Sequence, residues 1–492
     1  MNYWELCRLF APEITLVLTA GLVLLLDLAR GRGMPNRQRM GLAAALASAG
    51  CLVAWAFLFT SETRATALLN GMGVIDPQTN FLKQVLLLLT ILTAMISIET
   101  EFTDHVGEYF ALLLLATVGM MFLVSSENIL MIFVSLELLS LSLYVMTAFN
   151  KRNPQSAEAA LKYFLFGGMA AAFTLFGLSL VYGLSGETSL REIARQLPGH
   201  AHDPLFLFAL LMTVVGFGFK VAAVPFHLWA PDAYQGAPLP SAAFIASGSK
   251  VASFFILAKF MMIGLAGTEG SAAWRAFASG WVPALAVLAA LSMLLGNLAA
   301  IAQKSVRRLL AYSAIAQAGY MLVGLLAHTP QGLASMLYYV ITYALTTIGA
   351  FAVVAVVQEK SGDDSLATFA GLRQRSPLLA GCMMIFMLSL AGIPPLAGFF
   401  GKFYLFTAAL NSDAKNLGLL WLVILAIAMS TVSLYYYLQV LKAVFVQAAP
   451  PEAPALTMAP STRLVLILLA LAVVLLGAVP GTLLEKILST IP

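Results

Sequence analysis

Fourteen apolar stretches, each close to the length that crosses a bilayer, divide this chain of 492 residues. Read between polar breaks, they fall near 12–29, 40–60, 79–98, 108–125, 128–149, 157–184, 204–224, 240–265, 276–301, 307–327, 333–357, 378–410, 417–446 and 462–481. A run of about twenty such residues satisfies its backbone polar groups in lipid by forming a helix. The expected fold is therefore all-α, a polytopic membrane protein of about 14 transmembrane helices. Composition agrees, with 61% hydrophobic residues, 10% charged residues and a mean hydropathy of +0.91. A soluble chain with so few charges lacks the polar surface to cover itself, so the lipid bilayer is its first partner. The first stretch follows Glu5, Cys7 and Arg8, carries no small-residue cleavage site and reads as a retained span.

Several chemistries find no support. Cys7, Cys51 and Cys382 are far apart, with no Cys/His cluster, so neither a metal nor an iron–sulfur ligand set is expected. Gly216 and Gly218 begin a G-x-G that nothing completes, and no Walker loop is present. No cofactor-binding site is expected in this chain. A net charge of +4 gives no reason to expect nucleic acid.

Charge placement is more informative. Of the 27 lysines and arginines, fourteen fall on the side of the first loop, among them Arg37, Arg39, Lys304, Arg307 and Arg308. Seven fall opposite, including Arg8, Arg64 and Arg191. The positive-inside rule puts the first group in the cytoplasm and both termini outside. The remainder, 27 − 14 − 7 = 6, are all lysines: Lys83, Lys162, Lys220, Lys250, Lys259 and Lys402. No arginine is expected inside a span. Arginine stays charged at any accessible pH, whereas a desolvated lysine is able to lose its proton. Lys without Arg is the pattern that proton exchange requires.

Helical rise sorts these residues by depth. Glu137 lies ten positions past Glu127, and Lys250 ten past Pro240, which puts both near mid-membrane. Lys220 stands five before Pro225, and Lys402 follows Pro394 and Pro395. Charges at that depth are costly unless paired or hydrated, so all four are functional candidates. Lys83 and Lys259 lie near span ends, where snorkelling accounts for them. Lys162, four residues after Glu158, reads equally as a relay or as a local helix pair. His227, just past Pro225, reads equally as a relay or as a packing residue.

The prolines supply architecture. Pro225 interrupts the seventh stretch, and Pro394 and Pro395 the twelfth, each beside a buried lysine. Broken helices at matching positions indicate inverted repeats with sites near the midplane. Two inverted five-helix repeats are expected, with discontinuous helices 7 and 12. The division is 1–107 (three N-terminal helices), 108–265 (helices 4–8), 266–446 (helices 9–13) and 447–492 (helix 14).

FKVAAVPFHLWAPDAYQGAP, SLELLSLSLY, KSVRRLLAYSAIAQAGY and LAGIPPLAGFFGKF, in this order, resemble the antiporter-like subunits of respiratory complex I, the bacterial proton-translocating NADH:quinone oxidoreductase. The chain lacks the long extension of the L type. It also has Lys402 where the M type carries glutamate, so it is most similar to the N type. The resemblance implies that Glu137 pairs with Lys220, that Lys250 continues the path and that Lys402 connects outward. It also implies partner membrane subunits (M, K and J types), and FMN, iron–sulfur clusters and quinone in partner subunits rather than here. The implied location is the bacterial inner membrane. Many relatives have histidine where this chain has Gln317, which cannot take up a proton. A subunit of a multi-subunit cation/proton antiporter shares these motifs, and a non-pumping scaffold held by ion pairs is the remaining alternative.

Overall fold

The computed structural model describes residues 3–60, 66–413, 415–449 and 456–491. Arg64, assigned above to the outer side, lies outside the described residues. Among them, thirteen helices are long and apolar enough to cross a membrane. They are Ala11–Ala29, Asn36–Phe59, Pro77–Glu99, Val106–Val124, Ile129–Thr147, Pro154–Ser185, Pro204–Val221, Leu239–Gly264, Trp281–Ile301, Val306–Leu326, Pro330–Ser361, Leu420–Phe445 and Pro460–Ala478. A broken pair, Pro377–Ala391 and Ala397–Ser412, stands between the eleventh and twelfth of these and supplies the fourteenth crossing. It is the discontinuous helix 12.

Helix 7 is broken as well. Pro204–Val221 ends at Ala222 in the left-handed region (φ 59°), and a second piece follows at Trp229–Gly236. Helix 8 holds a break that its sequence does not announce. Leu239–Ala246 and Gly248–Lys259 meet at Ser247 (φ −119°, ψ −84°). A short hairpin, Thr66–Leu68 with Gly73–Ile75, was also not foreseen, and it covers the turn after helix 4 through Val74 N–H to Ser125 O.

The two repeats show in matching contacts on opposite faces. At the start of helix 5, Ile129 N–H donates to Thr188 O, and Leu190 N–H donates to Glu127 O. At the start of helix 10, Val306 N–H donates to Asp364 O, and Leu366 N–H donates to Lys304 O. Helices 6 and 11 are both 32 residues long, begin with Pro154 and Pro330, and end at left-handed Gly186 and Gly362. Close crossings repeat too. A Cβ on Gly119 would sit 2.8 Å from Leu139 N, and one on Gly296 2.5 Å from Ala316 N. Gly296 lies 177 positions after Gly119, and Ala316 the same 177 after Leu139.

Two expectations need correction. First, arginines do enter the first turns of spans: Asn36–Phe59 begins ahead of its apolar run and takes in Arg37 and Arg39, and Arg307, Arg308 and Arg463 stand in the first turns of Val306–Leu326 and Pro460–Ala478. Arg307 is buried, because its guanidinium donates to Tyr234 O at 3.0 and 2.7 Å. The middle of every described span remains free of arginine. Second, Lys83 and Lys259 do not snorkel. Lys83 Nζ meets Glu13 Oε1 of helix 1 at 2.6 Å, with both side chains at most 2% exposed. Lys259 Nζ lies 3.4 Å from Glu127, which Arg191 also holds at 2.8 Å. Burial pushes the Glu127 carboxyl up, but these two cations outweigh it and hold the group below the usual carboxylate range.

Candidate proton-transfer site

Each helix break leaves C-terminal carbonyls without intrahelical partners, at the negative end of a helix dipole. The buried lysines gather at those ends. Lys250 is 2% exposed and donates to Val221 O (3.3 Å), the last residue of the first half of helix 7. It also donates to Ala314 O of helix 10 at 2.8 Å. Lys402 donates to Leu390 O and Ala391 O, each at 3.1 Å, at the end of the first half of helix 12. Ser430 Oγ accepts a third bond at 2.9 Å, and the Tyr320 ring lies 5.0 Å from the ammonium. In both repeats, then, a lysine caps an interrupted helix inside the membrane. Such a cap solvates the ammonium with carbonyl and hydroxyl acceptors and without a carboxylate partner.

Lys220 is arranged differently. Its Nζ donates to Ser140 Oγ at 2.5 Å, one turn along helix 5 from Glu137. Glu137 is half-buried, and no ion pair within 4.0 Å joins it to Lys220 among the described residues. The two charges face one cavity, lined also by Phe133, Ser140, Tyr144 and Thr174. They interact across that space rather than by contact.

The peptide links the first two lysines, because Lys220 directly precedes Val221, whose carbonyl holds Lys250. From helix 10 a side-chain chain continues toward Lys402. Ser313 Oγ and Tyr437 OH are 2.5 Å apart, and Gln317 Nε2 donates to Tyr437 OH and to Leu390 O, both at 3.1 Å. Tyr339 OH donates to Gln317 Oε1. Leu390 O is also an acceptor for Lys402, so the amide and the ammonium share one carbonyl. Gln317 is fully buried with both amide atoms engaged. Gln317→Leu should therefore lower stability by about 1–3 kcal/mol for each buried polar partner it strands. Thermal unfolding of the solubilised complex checks this; an unchanged midpoint would mean the network contributes nothing.

The remaining candidates lie apart. Lys162 sits between Glu158 (2.7 Å) and Asp232 (2.9 Å), and its side chain is 40% exposed. No described hydrogen bond joins His227 to Lys220, Lys250 or Lys402. Pro225 and Pro395 both follow cis peptide bonds within the two breaks, and Pro394 precedes Pro395 there. Sequence reasoning missed Ser140, Tyr339, Tyr437, Ser430 and Asp232. Serine and tyrosine are ordinary helix-packing residues in membranes, so only tertiary contact marks them. Asp232 stood within the PDAYQGAP motif and was open to notice. Among the described residues, no group of three or more His, Cys, Asp or Glu side chains is placed to hold a metal.

Helices broken beside capped lysines, in two inverted repeats, define an antiporter-like membrane subunit. The family model described as NADH:quinone oxidoreductase/Mrp antiporter, TM, matches residues 126–431. NADH-quinone oxidoreductase subunit N 2 of Acidobacterium capsulatum is 54% identical over 494 residues, 99% of each chain. Subunit N of Desulforamulus reducens is 39% identical over 92% of each. The chain belongs to the subunit N family of NADH-quinone oxidoreductase. A chain of respiratory complex I from Thermus thermophilus with bound aureothin has a TM-score of 0.79 at 34% identity, covering 96% of this chain and 98% of that one. A chain of the Mrp complex from Dietzia has a TM-score of 0.83 at 19% identity, covering 100% of this chain and 97% of that one, which shows a shared fold alone.

Proposed function

We propose that this chain is a proton-translocating membrane subunit of NADH:quinone oxidoreductase, with Glu137, Lys220, Lys250 and Lys402 as its proton-transfer groups. The observation that carries the reading is the placement of Lys250 and Lys402 on the free carbonyls of two interrupted helices, with Lys220 beside the first. Withdrawing negative charge from Lys220 favours release of its proton toward Lys250. The hydroxyls and amide between Ser313 and Gln317, with intervening water, carry it on toward Lys402. One pK unit corresponds to about 1.4 kcal/mol, so a modest change in charge spacing is enough. Glu158, Lys162 and His227 stay outside this path: Lys162 is held between Glu158 and Asp232, which favours the structural of its two readings over the relay.

In this reading the chain performs no redox chemistry. FMN, iron–sulfur clusters and quinone, ubiquinone among the candidates, are held by partner subunits, and the membrane neighbours are M, K and J types. The chain sits in the bacterial inner membrane with both termini periplasmic. Its units are 1–107, 108–265, 266–446 and 447–492, a division supported by the matched contacts of helices 5 and 10. The test is purification of the chain from native membranes. Flavin and iron–sulfur subunits should come with it, and the reconstituted assembly should acidify liposomes when NADH is oxidised. Recovery with cation/proton antiporter subunits alone, and no NADH-driven acidification, would overturn the assignment.

A further inference from the structure

The two broken helices can be aligned from their left-handed cap residues. Lys402 stands ten positions after Gly392, and Asp232 stands ten positions after Ala222. Asp232 is thus the first-repeat counterpart of Lys402. In the second repeat that position caps its own half-helix, whereas in the first repeat Lys250 arrives from helix 8 to do so. Position 232 is released for another task, and its charge is reversed.

Its contacts define that task. Asp232 Oδ2 accepts from Lys162 of helix 6 at 2.9 Å, and Oδ1 accepts from Arg308 of helix 10 at 2.8 Å. Among the described residues, the Asp232–Arg308 contact is the one ion pair that crosses between the two repeats. Arg307 grips the same segment through Tyr234 O. Three residues before Asp232, Trp229 is buried and stacks on Tyr163 (4.3 Å between centroids, 6° between planes). Its Nε1 donates to Phe219 O at 3.0 Å. Phe219 immediately precedes Lys220 and Val221, so the clamp on the 229–236 segment runs straight into the helix end that carries Lys220 and holds Lys250.

We propose that Asp232 is a positioning residue for proton transfer: held from both repeats, it fixes the Trp229–Gly236 segment, and through Trp229 it fixes where Lys220 and the Val221 carbonyl stand. The role rests on the functional reading above. A displacement on the order of 1 Å in a reacting geometry costs up to about 10²-fold in rate. A clamp with two cations on one carboxylate has that much leverage over a neighbouring donor.

The test compares variants in the intact complex reconstituted in liposomes, reading protons moved per electron. Lys220→Ala sets the flux this chain carries. Asp232→Asn should lose most of that share in an assembled complex, and Asp232→Glu should restore much of it. Trp229→Phe, which keeps an aromatic ring but removes the indole donor, should lose flux in the same direction, and it decides the matter if Asp232→Asn does not assemble. Wild-type protons per electron in assembled Asp232→Asn, or in Trp229→Phe, overturns the proposal while a pumping defect in Lys220→Ala keeps the functional reading intact. Normal pumping by Lys220→Ala removes that reading, and this role with it.

Discussion

Replacing Lys220 by alanine is expected to abolish the proton flux through this chain while the complex still assembles. Lys220 is 7% exposed, donates to Ser140 and faces Glu137 across a shared cavity rather than through a direct pair. Removing it takes away one bond that the Ser140 hydroxyl accepts, while that hydroxyl still donates to Leu136 O, and leaves a half-buried carboxylate already open to the cavity, a modest structural loss. The functional loss is larger: among the described residues lining that cavity Lys220 is the one cationic group, and it directly precedes Val221, whose carbonyl holds Lys250. Proton uptake per NADH oxidised in proteoliposomes is the readout. If the lysines only held helices together, the variant would assemble poorly yet pump at the normal ratio whenever it did assemble.

The largest structural effect should come from a pair outside that path. Lys83→Met leaves the Glu13 carboxylate buried at 1% exposure with its cation gone. Breaking a buried pair from one side typically costs about 3–5 kcal/mol, because the remaining charge stays desolvated. The double variant Glu13→Leu/Lys83→Met removes both charges and should recover much of that loss. Thermal unfolding of the detergent-solubilised complex measures both. A single variant as stable as wild type would show that the pair is hydrated or dispensable. Because Glu13 lies in helix 1 and Lys83 in helix 3, the loss should appear as loosening of the N-terminal three-helix segment.

Spans, the two proline-marked breaks and the positions of Lys220, Lys250 and Lys402 along their helices were legible because each is a property along one chain: apolar run length, proline position and helical rise. What surrounds a helix laterally was not. The apolar cores of the spans Leu239–Gly264 and Pro330–Ser361 are wholly buried, and that of Pro154–Ser185 is only one-third buried, yet their mean hydropathies are 1.5, 2.2 and 2.0. Lipid and protein interior are both apolar, so hydropathy does not separate them. The same blindness explains Lys83 and Lys259, whose depth near a span end was read correctly while their partners Glu13 and Glu127 came from other helices. It also explains Ser140, Tyr339 and Tyr437, which gain meaning only where helices meet. The break at Ser247 carries no proline and so left no mark in the sequence.

The central claim is that buried lysine ammonium groups in this chain give up and regain protons. Lys220→Arg tests it most directly, because the guanidinium keeps a positive charge and hydrogen-bond donors at the same place but does not deprotonate at accessible pH. Protons moved per electron by the reconstituted complex is the measurement. Lys220→Arg should assemble and lose the flux of this chain as Lys220→Ala does. Retained pumping at the wild-type ratio would contradict it, since a permanently charged group would then suffice at that position.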